Sequence, residues 1–118
     1  LPAGNYYFEF EGETRINLMP FKVTSKGFEF KNQIESTFYK PIVRQEGDLV
    51  FISKTAFNKE DFEIYLYDNQ SNILYQEKLK GDINLGKSLN LKNLTSGNYK
   101  IVMKSAGKVF EQKVYKEL

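Results

Sequence analysis

The chain has 118 residues, of which 41% are hydrophobic and 15% aromatic, and its formal net charge is +2. This length suits one domain with its own core, and the composition is too apolar for a disordered segment. The sequence contains no His and no Cys, so it lacks the usual neutral-pH proton shuttle, the thiolate nucleophile and the preferred zinc ligands. We therefore predict a non-catalytic protein with no catalytic residues, no cofactor and no metal site.

The composition argues against a nucleic-acid partner and against a membrane span. The 17 basic residues alternate along the chain with 15 acidic ones, and only Arg15 and Arg44 among them are arginines. Nucleic-acid binding normally needs a concentrated basic stripe with arginines for bidentate contacts, so we expect no nucleic-acid partner. No apolar run reaches the roughly 18 residues typical of a membrane-spanning helix, so we expect no membrane span.

A six-residue phrase opens the chain at 1–6 and returns at 94–99, with four of six positions identical. Each copy leads into residues that alternate between two faces, the pattern of a half-buried strand. In one interpretation, 1–118 is a single β-sandwich domain and the phrase is a generic entry into a strand. In the alternative, 1–23 is the end hairpin of an upstream repeat and 24–118 is a complete sandwich.

The middle and end of the chain continue the strand pattern. Residues 49–52 are apolar on both faces, which predicts a central strand. Alternation over 62–67, a turn-forming run at 68–72 and a second strand from Ile73 predict a hairpin. Residues 99–104 and 109–115 form another hairpin pattern, with Phe110 and Val114 as predicted core contacts. Together these patterns predict an all-β fold, an immunoglobulin-like antiparallel β-sandwich with Greek-key connections.

The second copy of the phrase has a specific structural interpretation. In many Greek-key sandwiches, a Tyr near the start of the penultimate strand bonds backbone a few residues upstream, an arrangement called a tyrosine corner. Tyr99 is in that position, and Gly97 allows the bend before the strand. We predict a tyrosine corner here.

The best binding candidate is an outward face that carries Tyr65 and Tyr67, with Tyr75 across the hairpin. Exposed aromatic rings on a sheet can stack on sugars or anchor a protein partner. The alternative is that a second sheet or the first hairpin covers these rings.

The order of motifs carries a family resemblance. Phe62–Asp68, a short turn, Asn72–Tyr75, then Leu91–Tyr99 and a closing hairpin to Lys116 resemble the C-terminal sorting domains of Bacteroidetes type IX secretion. Together with residues 41–52, this order of motifs is also similar to that of small secreted Bacteroidetes β-sandwich proteins of unknown function. The resemblance covers about 38–118.

The resemblance implies a module of an exported protein, secreted or at the cell surface, that passes through the periplasm. We expect it to serve protein interaction, adhesion or secretion sorting, with a protein partner or a glycan as ligand. The alternative function is a carbohydrate-binding module that uses Tyr65, Tyr67 and Tyr75.

Overall fold

The computed structural model describes residues 1–30 and 36–118. The chain divides into two compact units, Leu1–Lys40 and Pro41–Leu118. The described residues form eleven strands and no helix, and every strand pair is antiparallel. The strands are β1 (Gly4–Glu11), β2 (Arg15–Thr24), β3 (Gly27–Phe30), β4 (Ser36–Tyr39), β5 (Ile42–Glu46), β6 (Leu49–Thr55), β7 (Phe62–Tyr67), β8 (Ile73–Leu79), β9 (Asn84–Asn90), β10 (Gly97–Ser105) and β11 (Lys108–Lys116). The predicted all-β, antiparallel fold is confirmed.

The first unit is one sheet in the order β1-β2-β3, in which β4 also pairs with β2. One face of this sheet is aromatic. Tyr6 lies directly opposite Phe21, and the ring of Phe21 stacks on Tyr6 at 5.3 Å and on Phe8 at 4.4 Å between centroids. Phe21 is buried, whereas Phe8 and Phe10 remain substantially exposed.

The second unit contains two sheets, β5-β6-β9 and β11-β10-β7-β8. The chain passes from one sheet to the other after β6, β8 and β9. Both sheets contribute side chains to one buried apolar cluster, as expected of the predicted sandwich. Its members on the strands are Val50, Ile52, Phe62, Ile64, Leu66, Leu85, Leu89, Tyr99, Ile101, Met103 and Val114.

Three predictions about this unit are confirmed. β6 is the central strand of its sheet, between β5 and β9. Val114 is buried and Phe110 packs partly buried against the core. The tyrosine corner is present, because the Tyr99 hydroxyl donates a 2.6 Å hydrogen bond to the carbonyl oxygen of Thr95.

Side chains connect the two sheets of the second unit at both lateral edges. At one edge, Gln45 of β5 makes two hydrogen bonds with the backbone of Tyr115 in β11. Its Nε2 donates to the carbonyl oxygen at 2.6 Å, and its Oε1 accepts from the amide at 3.3 Å. At the other edge, Lys87 of β9 lies 3.2 Å from the carboxylate of Glu77 in β8. These contacts hold edge strands that belong to different sheets.

Candidate functional site

Tyr65 and Tyr67 lie on the outer face of β7 because their neighbours Phe62, Ile64 and Leu66 are buried in the core. Both tyrosines are half-buried, and their ring centroids are 6.3 Å apart with planes tilted by 31°. The structure therefore brings these two predicted site residues together on one sheet face.

Charged side chains from neighbouring positions surround the two rings. The Nζ of Lys104 lies 5.1 Å from the centroid of Tyr65, and that of Lys100 lies 5.8 Å from the centroid of Tyr67. These distances allow cation–π attraction. The face thus combines aromatic area with charged side chains of both signs, since Lys100 also lies 3.7 Å from the carboxylate of Glu111.

The hydroxyl of Tyr65 is held in place by a carboxylate. It donates a 2.7 Å hydrogen bond to Glu63 on the same strand face, and Lys78 of β8 lies 3.6 Å from that carboxylate. The hydrogen bond to Glu63 raises the pKa of Tyr65, and the same bond lowers the pKa of Glu63. Both groups keep their neutral-pH charge states, so this arrangement favours orientation of the ring over proton transfer.

The third predicted residue, Tyr75, lies on the other face of the sheet. It is directly opposite Leu66, a core residue, and packs against the buried cluster. Its hydroxyl donates to Glu77, and the Nζ of Lys87 lies 5.6 Å from its ring centroid. Tyr75 therefore belongs to the lateral edge of the two sheets and does not join Tyr65 and Tyr67.

A β-bulge explains this placement. The pairing between β7 and β8 shifts register between Leu66 and Tyr67, so that Tyr67 faces Ile73 while Leu66 faces Tyr75. Continuing the register of the Tyr67 pair without the shift would put Tyr75 opposite Tyr65. One extra residue moves every following side chain to the opposite face.

A polar cleft at one end of the second unit was not predicted from the sequence. The hairpin turn after β7 and the tyrosine-corner loop line an open cleft of about 440 Å³. The lining residues that carry side-chain amides are Asn69, Gln70, Asn93 and Asn98. The sequence signalled the turn and the corner separately, but no local pattern shows that two loops distant in sequence meet.

The Asp68 carboxylate organises the turn at this cleft. Its Oδ1 accepts from the amides of Gln70 and Asn72, each at 2.9 Å, and its Oδ2 accepts from the Asn72 side chain at 3.0 Å. The backbone hydrogen bond from Asn72 is the main reason that the pKa of Asp68 is lowered. The predicted hairpin turn is confirmed.

Over 1–30 and 36–118, no group of three or more acidic side chains is placed to hold a metal ion. Within the same part of the chain, no helix has the length and hydrophobicity needed to cross a membrane.

Comparison with known families assigns the second unit. Residues 46–117 match the sequence profile of the family described as "Secretion system C-terminal sorting domain". The match covers more than half of the chain. The protein belongs to this family of sorting domains. Comparison with curated proteins and with solved structures finds no match.

The sorting domain begins at the last residue of β5 and continues through β11. It therefore includes the Tyr65 and Tyr67 face, the polar cleft and the lateral edge formed by Glu77 and Lys87. The family match confirms the predicted resemblance to Bacteroidetes type IX sorting domains and the predicted location, secreted or at the cell surface. A sorting domain of this kind is a non-catalytic module of an exported protein.

Proposed function

We propose that the outer face around Tyr65 and Tyr67 is the surface through which this sorting domain is recognised by a protein of the secretion machinery. The observation that carries the proposal is the pairing of two half-buried tyrosines at 6.3 Å with a lysine over each ring. Tyrosine is enriched among residues that dominate the energy of protein interfaces, because it adds large contact area at low entropic cost.

The contacts around the rings favour a protein partner. Val102 lies opposite Tyr65 on the adjacent strand and is already buried, so the two tyrosine rings supply the apolar centre of this face. Lys100, Lys104 and Glu63 form a charged border around it. An apolar centre with a polar rim is the usual anatomy of a protein interface.

The sorting role is tested by fusing all 118 residues to a periplasmic reporter in a bacterium with type IX secretion. We expect release of the reporter into the medium. Retention in the periplasm, with an intact fusion detected by immunoblot, would contradict the sorting role itself.

The recognition face is tested separately with the Tyr65→Ala/Tyr67→Ala double variant of the same fusion. We expect the reporter to remain in the periplasm, while far-ultraviolet circular dichroism shows an unchanged β-spectrum. Tyr7→Ala is the control, because Tyr7 is a strand tyrosine that is exposed and lies outside the matched residues. Release of the double variant at the control's level would refute the face and leave the sorting role standing.

Carbohydrate binding is the second candidate, since two tyrosines on one sheet face are a common sugar-stacking arrangement. A lysine lies over each ring, however, and would have to move before a sugar could stack there. Affinity electrophoresis through gels that contain soluble glycans tests this function. Retardation of the native chain that Tyr65→Ala abolishes would favour the glycan over the protein partner.

A further inference from the structure

The hairpins β1–β2 and β10–β11, which begin within the two copies of the repeated phrase, have the same strand register. In the first, Gly4 lies opposite Val23, and in the second, Gly97 lies opposite Lys116. Adding 93 to both residue numbers of the first pair (4 + 93 = 97 and 23 + 93 = 116) gives the second pair. The same shift converts all eight pairs of β1 and β2 into pairs of β10 and β11. The likeness therefore extends from six residues to a complete two-stranded element.

Both hairpins also begin with the same hydrogen bond. The Tyr6 hydroxyl donates to the carbonyl oxygen of Pro2 at 2.7 Å, and that of Tyr99 donates to Thr95 at 2.6 Å. Each acceptor lies four residues before its tyrosine. This contact is the mark of the penultimate strand in a Greek-key sandwich.

The hairpins differ in what covers them. Ile101 and Met103 of β10 are 0% and 2% exposed, because both belong to the core that the β5-β6-β9 sheet shares. Their equivalents in the first hairpin, Phe8 and Phe10, are 40% and 49% exposed. Large aromatic side chains therefore stand at core positions while remaining open to solvent.

The edges of the two hairpins differ in the same way. On the side away from β11, β10 pairs with β7 over 100–104. Across 1–30 and 36–118, β1 has β2 as its sheet neighbour and is the outer strand of its sheet. The outer strand of a sheet readily accepts another antiparallel strand.

We infer that the hairpin 4–23 is the closing hairpin of a second sandwich of the same kind as 41–118. Its missing parts are the equivalents of 41–93. A strand of the β7 type pairs antiparallel with β1, and a sheet of the β5-β6-β9 type covers Tyr6, Phe8 and Phe10. These parts are supplied by the polypeptide on the amino-terminal side of Leu1 in the natural protein.

The test compares the 118-residue chain with the same chain extended at its amino terminus by its natural reading frame. Hydrogen exchange is measured on the amides of Tyr7–Glu11 in both. We expect exchange in the extended chain to be at least about 100-fold slower, because these amides join a complete sheet. Equal exchange rates, or a reading frame without a segment of alternating strands before Leu1, would overturn the inference.

A substitution provides a second, independent measurement. Phe8→Ser should lower the unfolding midpoint of the extended chain but leave that of residues 41–118 unchanged in the 118-residue chain. Tyr7→Ser is the matched control, because Tyr7 is on the opposite face of the same strand. If Phe8→Ser instead lowered the unfolding midpoint of every strand of the 118-residue chain, the hairpin would belong to the 41–118 core. A concentration-dependent dimer of the 118-residue chain that protects β1 would identify a second copy as the occupant, and either result refutes the inference.

Discussion

The ammonium group of Lys54 lies 3.3 Å from the carboxylate of Glu60, and the Lys54 side chain is 0% exposed. Burial is the main reason that the pKa of Lys54 is lowered, and the hydrogen bond and charge of Glu60 oppose this effect. A charge removed from water requires a compensating partner, because the low local dielectric otherwise makes it unfavourable. Glu60 supplies that compensation from the loop after β6.

Glu60→Gln should therefore lower the free energy of unfolding by about 3 kcal/mol, since it removes the carboxylate that faces a buried ammonium. Urea unfolding followed by tyrosine fluorescence measures the change. Glu46→Gln is the control, because the pair of Arg44 and Glu46 is 66% and 63% exposed and exposed pairs contribute under about 1 kcal/mol. Equal midpoints for the two variants would show that the buried pair has no special role.

The two tyrosine corners predict a graded pair of effects. Tyr99→Phe should lower the stability of the second unit by about 0.5–1.5 kcal/mol, because it leaves the carbonyl of Thr95 without this buried donor. Tyr6→Phe removes the same hydrogen bond at an exposed position, where water can replace the lost partner. We expect its effect on the thermal midpoint to be smaller. A larger loss for Tyr6→Phe than for Tyr99→Phe would contradict the assignment.

Only some parts of the fold are encoded in the local sequence. Alternation in 62–67 and the turn residues from Asp68 determine a hairpin within one short segment, so the sequence predicts it correctly. The face of Tyr75 depends on a bulge between Leu66 and Tyr67, and no residue there signals the extra position. A register shift is set by packing against the core, which the local pattern does not contain.

Long-range contacts could not be predicted from the sequence for a related reason. Gln45 and Tyr115 are 70 residues apart, and neither position has a distinctive pattern. The polar cleft likewise needs two loops to meet at one end of the second unit. The tyrosine corner could be predicted because its hydrogen bond joins residues only four apart.

The lowered pKa of Asp68 predicts an acid dependence of stability. Because its folded pKa is below the unfolded value of about 3.9, Asp68 binds fewer protons in the folded state than in the unfolded state. Its contribution is complete above about pH 5 and is lost as the pH falls through the folded pKa. The Asp68→Asn variant should be less stable at pH 6 and should lose less stability between pH 5 and pH 2. Thermal midpoints at several pH values measure this, and parallel curves for the two proteins would disprove it.

The bond between Gln45 and Tyr115 predicts a local change in the last strand. Because the amide of Tyr115 donates to the Gln45 side chain, its hydrogen exchange reports directly on this contact. Gln45→Ala should speed that exchange by about five- to tenfold, as expected for the loss of a hydrogen bond worth about 1 kcal/mol. Gln112→Ala is the control, because Gln112 is on the same strand and bonds only to the carbonyl of its neighbour Lys113 among the contacts described. Unchanged exchange at Tyr115 in the Gln45→Ala variant would mean that the Gln45 side chain does not protect the end of β11, where the Lys116–Asp48 ion pair at 3.0 Å also contacts this strand.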